Sequence, residues 1–209
     1  MRIAILGAGA WGSALAINLS ARHQISLWTK DSDHATEMQR EQTNRRFLTN
    51  FTLPQSIQIT AVLPEALDAA ELTLIVVPIV GFRDTLRSVL KCKPELPILW
   101  GCKGFELETC HLPHQIVKQE YAEKLPLCGV LSGPSFAEEV ARGLPTALTL
   151  ASTEVDFSQT IASELHHSRL RIYTSDDVIG VETGGAIKNV ITIAAGISDG
   201  IGFGHNARA

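Results

Sequence analysis

The 209-residue sequence predicts an α/β protein: a Rossmann-like, doubly wound, mostly parallel sheet over residues 1–178, then the start of an all-helical domain at 179–209. Three observations carry this. Short apolar runs alternate with helix-patterned stretches, as in a parallel sheet covered on both faces. The first run, residues 3–6, leads directly into Gly7-Ala-Gly-Ala-Trp-Gly12 and a helical stretch. From residue 178 the chain turns apolar and glycine-rich without strand alternation.

In order along the chain, the opening strand–turn–helix fits a dinucleotide-binding turn. Gly7 permits the tight turn, Gly9 lets a pyrophosphate approach the backbone, and Gly12 lets helix and strand pack closely. Residues 25–28 form a second strand and 32–40 its crossover helix, capped by Asp31 or Ser32. Residues 44–50 read as a polar loop with one aromatic, 57–60 as a weak strand, and a short helix starts at Pro64. The strongest strand pattern is 72–77, ended by Pro78. A helix over 80–90, a strand at 97–100, a helix at 112–122 and a strand at 127–131 follow. After the turn Ser132-Gly-Pro-Ser135 come a helix (136–142), a strand (147–151), an amphipathic helix (155–165) and a last strand (170–173). Residues 186–197 read as a buried helix. The chain stops without a capping sequence, so the helical domain is expected to be truncated and to leave an apolar patch prone to self-association.

Composition excludes several classes. Hydrophobic residues make up 45% and charged residues 19%, as in soluble globular proteins. A net charge of −4, without a basic cluster, argues against a nucleic-acid partner. The cysteines, at 92, 102, 110 and 128, form no CxxC pair, so no metal site and free thiols are expected. No signal-peptide pattern opens the chain, and no unbroken apolar run reaches the roughly 18 residues of a membrane span. A cytoplasmic protein is expected.

The cofactor reading leaves two options. Asp31 stands about where an acidic residue accepts from the ribose of NAD, whereas Lys30 beside it suits the 2′-phosphate of NADP. The balance leans slightly to NADP. Ligands of open α/β sheets bind beyond the carboxyl ends of strands, where Lys103 sits between glycines in Gly101-Cys-Lys-Gly104. Lys188 lies in a helix apolar nearly all round, and an ammonium there costs several kcal/mol unless paired or deprotonated. Desolvation would lower its pKa towards the range of acid–base catalysis; the alternative is a stem that packs while its head reaches water. His111, His114, His166 and His167 lie in polar stretches and read as solvated, with no zinc spacing.

At these motifs the sequence resembles the bacterial NAD(P)-dependent glycerol-3-phosphate dehydrogenases. The likeness runs through Gly7-Ala-Gly-Ala-Trp-Gly-Ser-Ala-Leu-Ala16, Val76-Val-Pro78, Cys102-Lys-Gly104, Leu131-Ser-Gly-Pro-Ser-Phe-Ala-Glu-Glu139, Gly180-Val-Glu-Thr-Gly-Gly-Ala-Ile-Lys-Asn-Val190 and the glycine-rich end through Arg208. It implies reversible reduction of dihydroxyacetone phosphate to sn-glycerol 3-phosphate, a phospholipid precursor, by hydride transfer from NADP or NAD. By this likeness Lys188 is the proton donor and acceptor, and Lys103 contacts substrate and nicotinamide. Gly133 and Ser135 line the substrate, and Ala137 approaches the cofactor. Ala10 and Trp11 touch its pyrophosphate, Lys30 its adenosine ribose or phosphate, and Phe47 its flank. The likeness also implies a further helical part supplying an aspartate and an arginine, and it admits a homodimer. Two other readings stand beside it: a nucleotide-binding fragment without turnover, and a reductase of hydroxy acids or ketopantoate.

Overall fold

The computed structural model describes residues 1–122, 125–204 and 206. The end of the last motif quoted above, residues 207–208, lies outside the described residues.

Eight strands form the main sheet. They are β1 (Arg2–Leu6), β2 (Gln24–Trp28), β5 (Gln58–Thr60), β6 (Leu72–Ile75), β7 (Ile98–Trp100), β8 (Cys128–Ser132), β9 (Thr146–Ala151) and β10 (Leu170–Ser175). Their spatial order is β10-β9-β8-β7-β6-β1-β2-β5. Every neighbouring pair is parallel except β8–β9, where Val130 faces Ala151 and Ser132 faces Thr149. The six strands from β5 to β8 thus reproduce the doubly wound order, with its switch point between β1 and β6. The antiparallel joint adds β9 and β10 at one edge.

Alternation along each strand places the two cores. In β1, Ile3 and Ile5 enter one apolar cluster and Ala4 and Leu6 the other. The first face is covered by α1 (Ala10–Leu19), α2 (Ser32–Glu41), α6 (Ala137–Ala141) and α7 (Val155–Leu165). The second is covered by α3 (Leu63–Leu67), α4 (Ile79–Cys92), α5 (Pro113–Tyr121) and the first turn of α8 (Val178–Ile201).

Four expectations need correction. Residues 44–50 are not simply a loop: β3 (Thr43–Asn44) and β4 (Leu48–Thr52) pair as an antiparallel hairpin. Their polar side chains gave no apolar alternation, yet Asn44 and Leu48 are buried. The strand expected to run to residue 77 ends at Ile75, because the Val76–Val77 backbone turns aside to pack on Gly7. The third concerns α8, which is not a buried helix. Val190 is 69% exposed and Ile193 64%, with Ile191, Ile197 and Ile201 also out in solvent. An apolar composition says what a helix avoids, not which neighbours it has. The fourth concerns span length. α8, at 24 residues, is by length and composition long and apolar enough to cross a membrane; Glu182 and Lys188 merely break the unbroken run that the sequence reading sought. The four cysteines are free thiols.

Candidate functional site

The glycine turn has the geometry its sequence predicts. Gly7 takes φ +120°, in the left-handed region, and a Cβ there would lie 3.0 Å from the Val76 and Val77 backbone. A Cβ on Gly12 would fall 1.9 Å from the Gly7 carbonyl oxygen. Around Gly9 the space is open to 4 Å. Gly9 is also the N-cap of α1, and the helix therefore starts at Ala10, three residues earlier than its apolar pattern suggests. No side chain caps it and no acidic residue lies in its first turn, which leaves its amides and dipole suited to an anion. A cradle that added methyl groups would fill or break, with donors unclaimed by side chains, fits a dinucleotide diphosphate.

Beside this turn opens a cleft of about 700 Å³ lined by Gly7, Gly9, Trp28, Lys30, Arg46 and Phe47, among others. Phe47 is exposed and stands edge-on to His34, with ring centroids 5.5 Å apart. Asp31, weighed above as a ribose acceptor, is already engaged. Its Oδ1 accepts from the His34 amide at 2.9 Å, capping α2, and its Oδ2 meets Arg46 at 2.8 Å. Those partners hold its carboxyl below the ordinary range. Lys30 is exposed at the rim. Arg46 also pairs with Glu37 at 3.0 Å, and the sequence reading passed over it.

A residue that sequence reasoning missed holds this region together. Asn44 is fully buried and donates through Nδ2 to the Ala8 carbonyl (2.9 Å) and the Ser13 hydroxyl (2.8 Å). Its Oδ1 lies 3.0 Å from His34 Nε2 and accepts from the Phe47 amide at 3.2 Å. Asn44→Ala would leave several of these buried groups unpaired. It should cost about 1–3 kcal/mol, read as a lower melting temperature; an unchanged melt would remove Asn44 from this role.

The two lysines come together on the other side of the turn. Lys103, after β7, and Lys188, on α8, line one cavity of about 350 Å³ with Ser132, Gly133 and Gly185. Lys103 Nζ donates to the Gly133 carbonyl at 3.3 Å. Desolvation lowers its pKa, and the charge of Lys188 adds to the effect. The expected enclosure of Lys188 is not present. Its side chain is half-buried, with Nζ 5.5 Å from the Phe136 ring centroid. Among the described residues no ion pair engages either amine.

Trp11 joins the two halves. Its Nε1 donates to Ser135 Oγ at 3.0 Å, and its ring lies so close to Gly101 that a Cβ there would come within 2.4 Å. Ala10, Phe47 and Ala137 line a third hollow of about 430 Å³ between cleft and helix α6. Lys30 shares no cavity with the lysine pair. His114, read above as solvated, instead lies against Glu182, its Nδ1 2.5 Å from Oε2. Glu182 was also missed, although an acid in an apolar helix is the very signal that drew attention to Lys188.

Comparison with known proteins identifies the family. Residues 2–158 match the family model described as NAD-dependent glycerol-3-phosphate dehydrogenase N-terminus, and residues 177–209 match that of its C-terminus. The chain is 55% identical over 213 residues to glycerol-3-phosphate dehydrogenase [NAD(P)+] of Nitrosospira multiformis, covering all of this chain and 64% of that one. It is 56% identical over 209 residues to the enzyme of the same name from Nitrosomonas eutropha, covering 63% of it. Among solved structures, glycerol-3-phosphate dehydrogenase from Coxiella burnetii superposes with a TM-score of 0.88 at 41% identity, over 99% of this chain and 63% of that one. The chain thus spans under two thirds of the length of these relatives.

Proposed function

From the premise that this chain belongs to the NAD-dependent glycerol-3-phosphate dehydrogenase family, we propose that it works in the reversible reduction of dihydroxyacetone phosphate to sn-glycerol 3-phosphate, in the cytoplasm. The observation that carries this reading is the convergence of Lys103 and Lys188 on one cavity, joined to the glycine turn where Trp11 packs on Gly101, two residues before Lys103. A reduced nicotinamide dinucleotide supplies the hydride. The chain's own groups do the rest. Gly7, Gly9, Ala10, Trp11 and Gly12 receive the diphosphate, while Lys30, Phe47 and Ala137 flank the remainder of the cofactor. Lys188 protonates the substrate's carbonyl oxygen as negative charge develops on it. Lys103 stabilises that charge and attracts the substrate phosphate. Gly133 and Ser135 shape the substrate wall, with residues 1–178 carrying the cofactor and 179–209 bringing in Lys188.

Substrate-dependent oxidation of NADPH or NADH tests the reaction. Activity with ketopantoate or hydroxyisobutyrate, and none with dihydroxyacetone phosphate, would overturn it. A second reading, nucleotide binding without turnover, is favoured by one observation: no described carboxylate pairs with either lysine. Tight nucleotide binding with no oxidation selects it.

NADP is proposed as the better cofactor. Asp31 is committed to α2 and Arg46, while Lys30 and Arg46 both present positive charge to the cleft. Lys30→Glu should weaken NADPH about tenfold or more and change NADH by less than about twofold, since an ammonium favours a phosphate over a hydroxyl. Fluorescence titration with both nucleotides measures this, and equal losses would make Lys30 an ordinary surface charge.

A further inference from the structure

Glu182 is 4% exposed, on a helix whose later turns lie in solvent. A carboxylate removed from water is costly unless donors satisfy it. Here Oε1 accepts from Trp100 Nε1 at 2.7 Å and from the His114 amide at 2.9 Å, while Oε2 meets the His114 ring. The side chain therefore ties α8 both to the end of β7 and to the first turn of α5. The β7 tie and the next turn of α8 both lead to the lysine cavity. Trp100 stands three residues before Lys103. One helical turn beyond Glu182, a Cβ on Gly185 would lie 3.1 Å from Ser132 Oγ and 3.6 Å from Lys103 Cγ.

We propose that Glu182 is a positioning residue: it fixes the rotation and axial placement of α8 against the 101–104 segment, so that the amines of Lys103 and Lys188 face one cavity. The inference rests on reading those two lysines as the reacting pair. An α-helix turns about 100° per residue and rises about 1.5 Å, so a slip of one residue would carry Lys188 round to another face. Gly184 and Gly185, at the cavity, bring no side chain that would resist such a slip. Glu182 does, because its three bonds hold only in one register. Burial pushes its carboxyl up, opposed mainly by His114 from α5. The Cys102 and Cys128 thiols face it from the sheet side. Lys103, in turn, faces Lys188 from α8 and the Gly133 carbonyl.

The test is the pH profile of Lys103 acylation, read by mass spectrometry on the 209-residue chain. An amine reacts as its free base, so the midpoint of the profile follows its titration. Burial lowers the pKa of Lys103 and the charge of Lys188 adds to it, and α8 packs against its stem at Gly185. Glu182→Ala should raise its midpoint towards that of ordinary lysines by about half a pH unit or more. Glu182→Gln keeps the acceptor for Trp100 and the His114 amide and should restore the wild-type midpoint within about 0.2 units. Rescue by this isostere assigns the effect to the acceptor oxygen rather than to the carboxylate's charge, and equal melting temperatures of wild type and Glu182→Ala separate a shifted helix from a general loss of structure. An unshifted profile in folded Glu182→Ala, or an ordinary Lys103 midpoint in the wild type, overturns the proposal. If Glu182→Ala does not fold, Glu182→Asp, one methylene too short to reach Trp100 and His114 together, takes its place and must shift the midpoint in the same direction; an unshifted profile there also overturns it. The reaction is judged separately. A wild type that shows these profiles but never reduces dihydroxyacetone phosphate sinks the dehydrogenase reading and leaves the positioning role standing.

Discussion

Lys188→Ala should lower the turnover of dihydroxyacetone phosphate by about 10²–10⁴-fold, the usual contribution of a positioned general acid, while NADPH affinity stays within about twofold. The asymmetry follows from where the side chain lies. Lys188 shares a cavity with Lys103, Ser132 and Gly133 and none with the glycine turn or Lys30. Removing it deletes a proton donor and one positive charge, and leaves the diphosphate cradle untouched. It also relieves repulsion on Lys103, whose pKa should rise. That rise gives the variant a second signature: any residual activity should keep its ammonium form to higher pH. Stopped-flow nucleotide oxidation and a fluorescence titration separate the effects. Full turnover in the variant would take the proton-transfer role away from Lys188, and lost nucleotide binding would place it in the cofactor site instead.

The second large effect is expected at the turn. Gly12→Ala places a methyl carbon 1.9 Å from the Gly7 carbonyl oxygen and 2.9 Å from Val76 Cγ2, and the first of these obstacles is backbone. Helix α1 must move off β1. The cost should be about 2–4 kcal/mol, or a melting point lower by roughly 5–15 °C, together with loss of nucleotide binding. Gly9→Ala supplies the contrast. Nothing lies within 4 Å of its added carbon, so the melt should stay near wild type while the methyl group obstructs the diphosphate. If Gly9→Ala bound nucleotide normally, the ligand would not approach the backbone there.

Much of this was legible in the residues. The glycine turn, the alternating apolar runs and the limits of α7 follow from steric need and periodicity, which the sequence carries directly. Three things were not legible, each for a physical reason. The pattern of a buried strand does not record its direction, so the antiparallel β8–β9 joint was hidden. The β3–β4 hairpin is held by Asn44, whose side chain bonds to groups more than thirty positions away in Ala8 and Ser13. The exposure of α8 depends on what packs beside it, and no periodicity within the helix reports that. For the site, the two lysines were singled out because charge is conspicuous between glycines or in an apolar helix. Their convergence is a fact of topology: β7 and α8 are separated by more than seventy residues and meet only through the fold.

The chain has three tryptophans, Trp11, Trp28 and Trp100, and each indole N–H is anchored in a different sector. Trp11 is held by Ser135, Trp28, which lines the cleft beside the glycine turn, by the Ala61 carbonyl, and Trp100 by Glu182. Ultraviolet emission from the unlabelled protein is therefore a built-in optical gauge, and single phenylalanine replacements would resolve it into separate signals from the glycine turn, the adjoining cleft and the seat of the lysine helix.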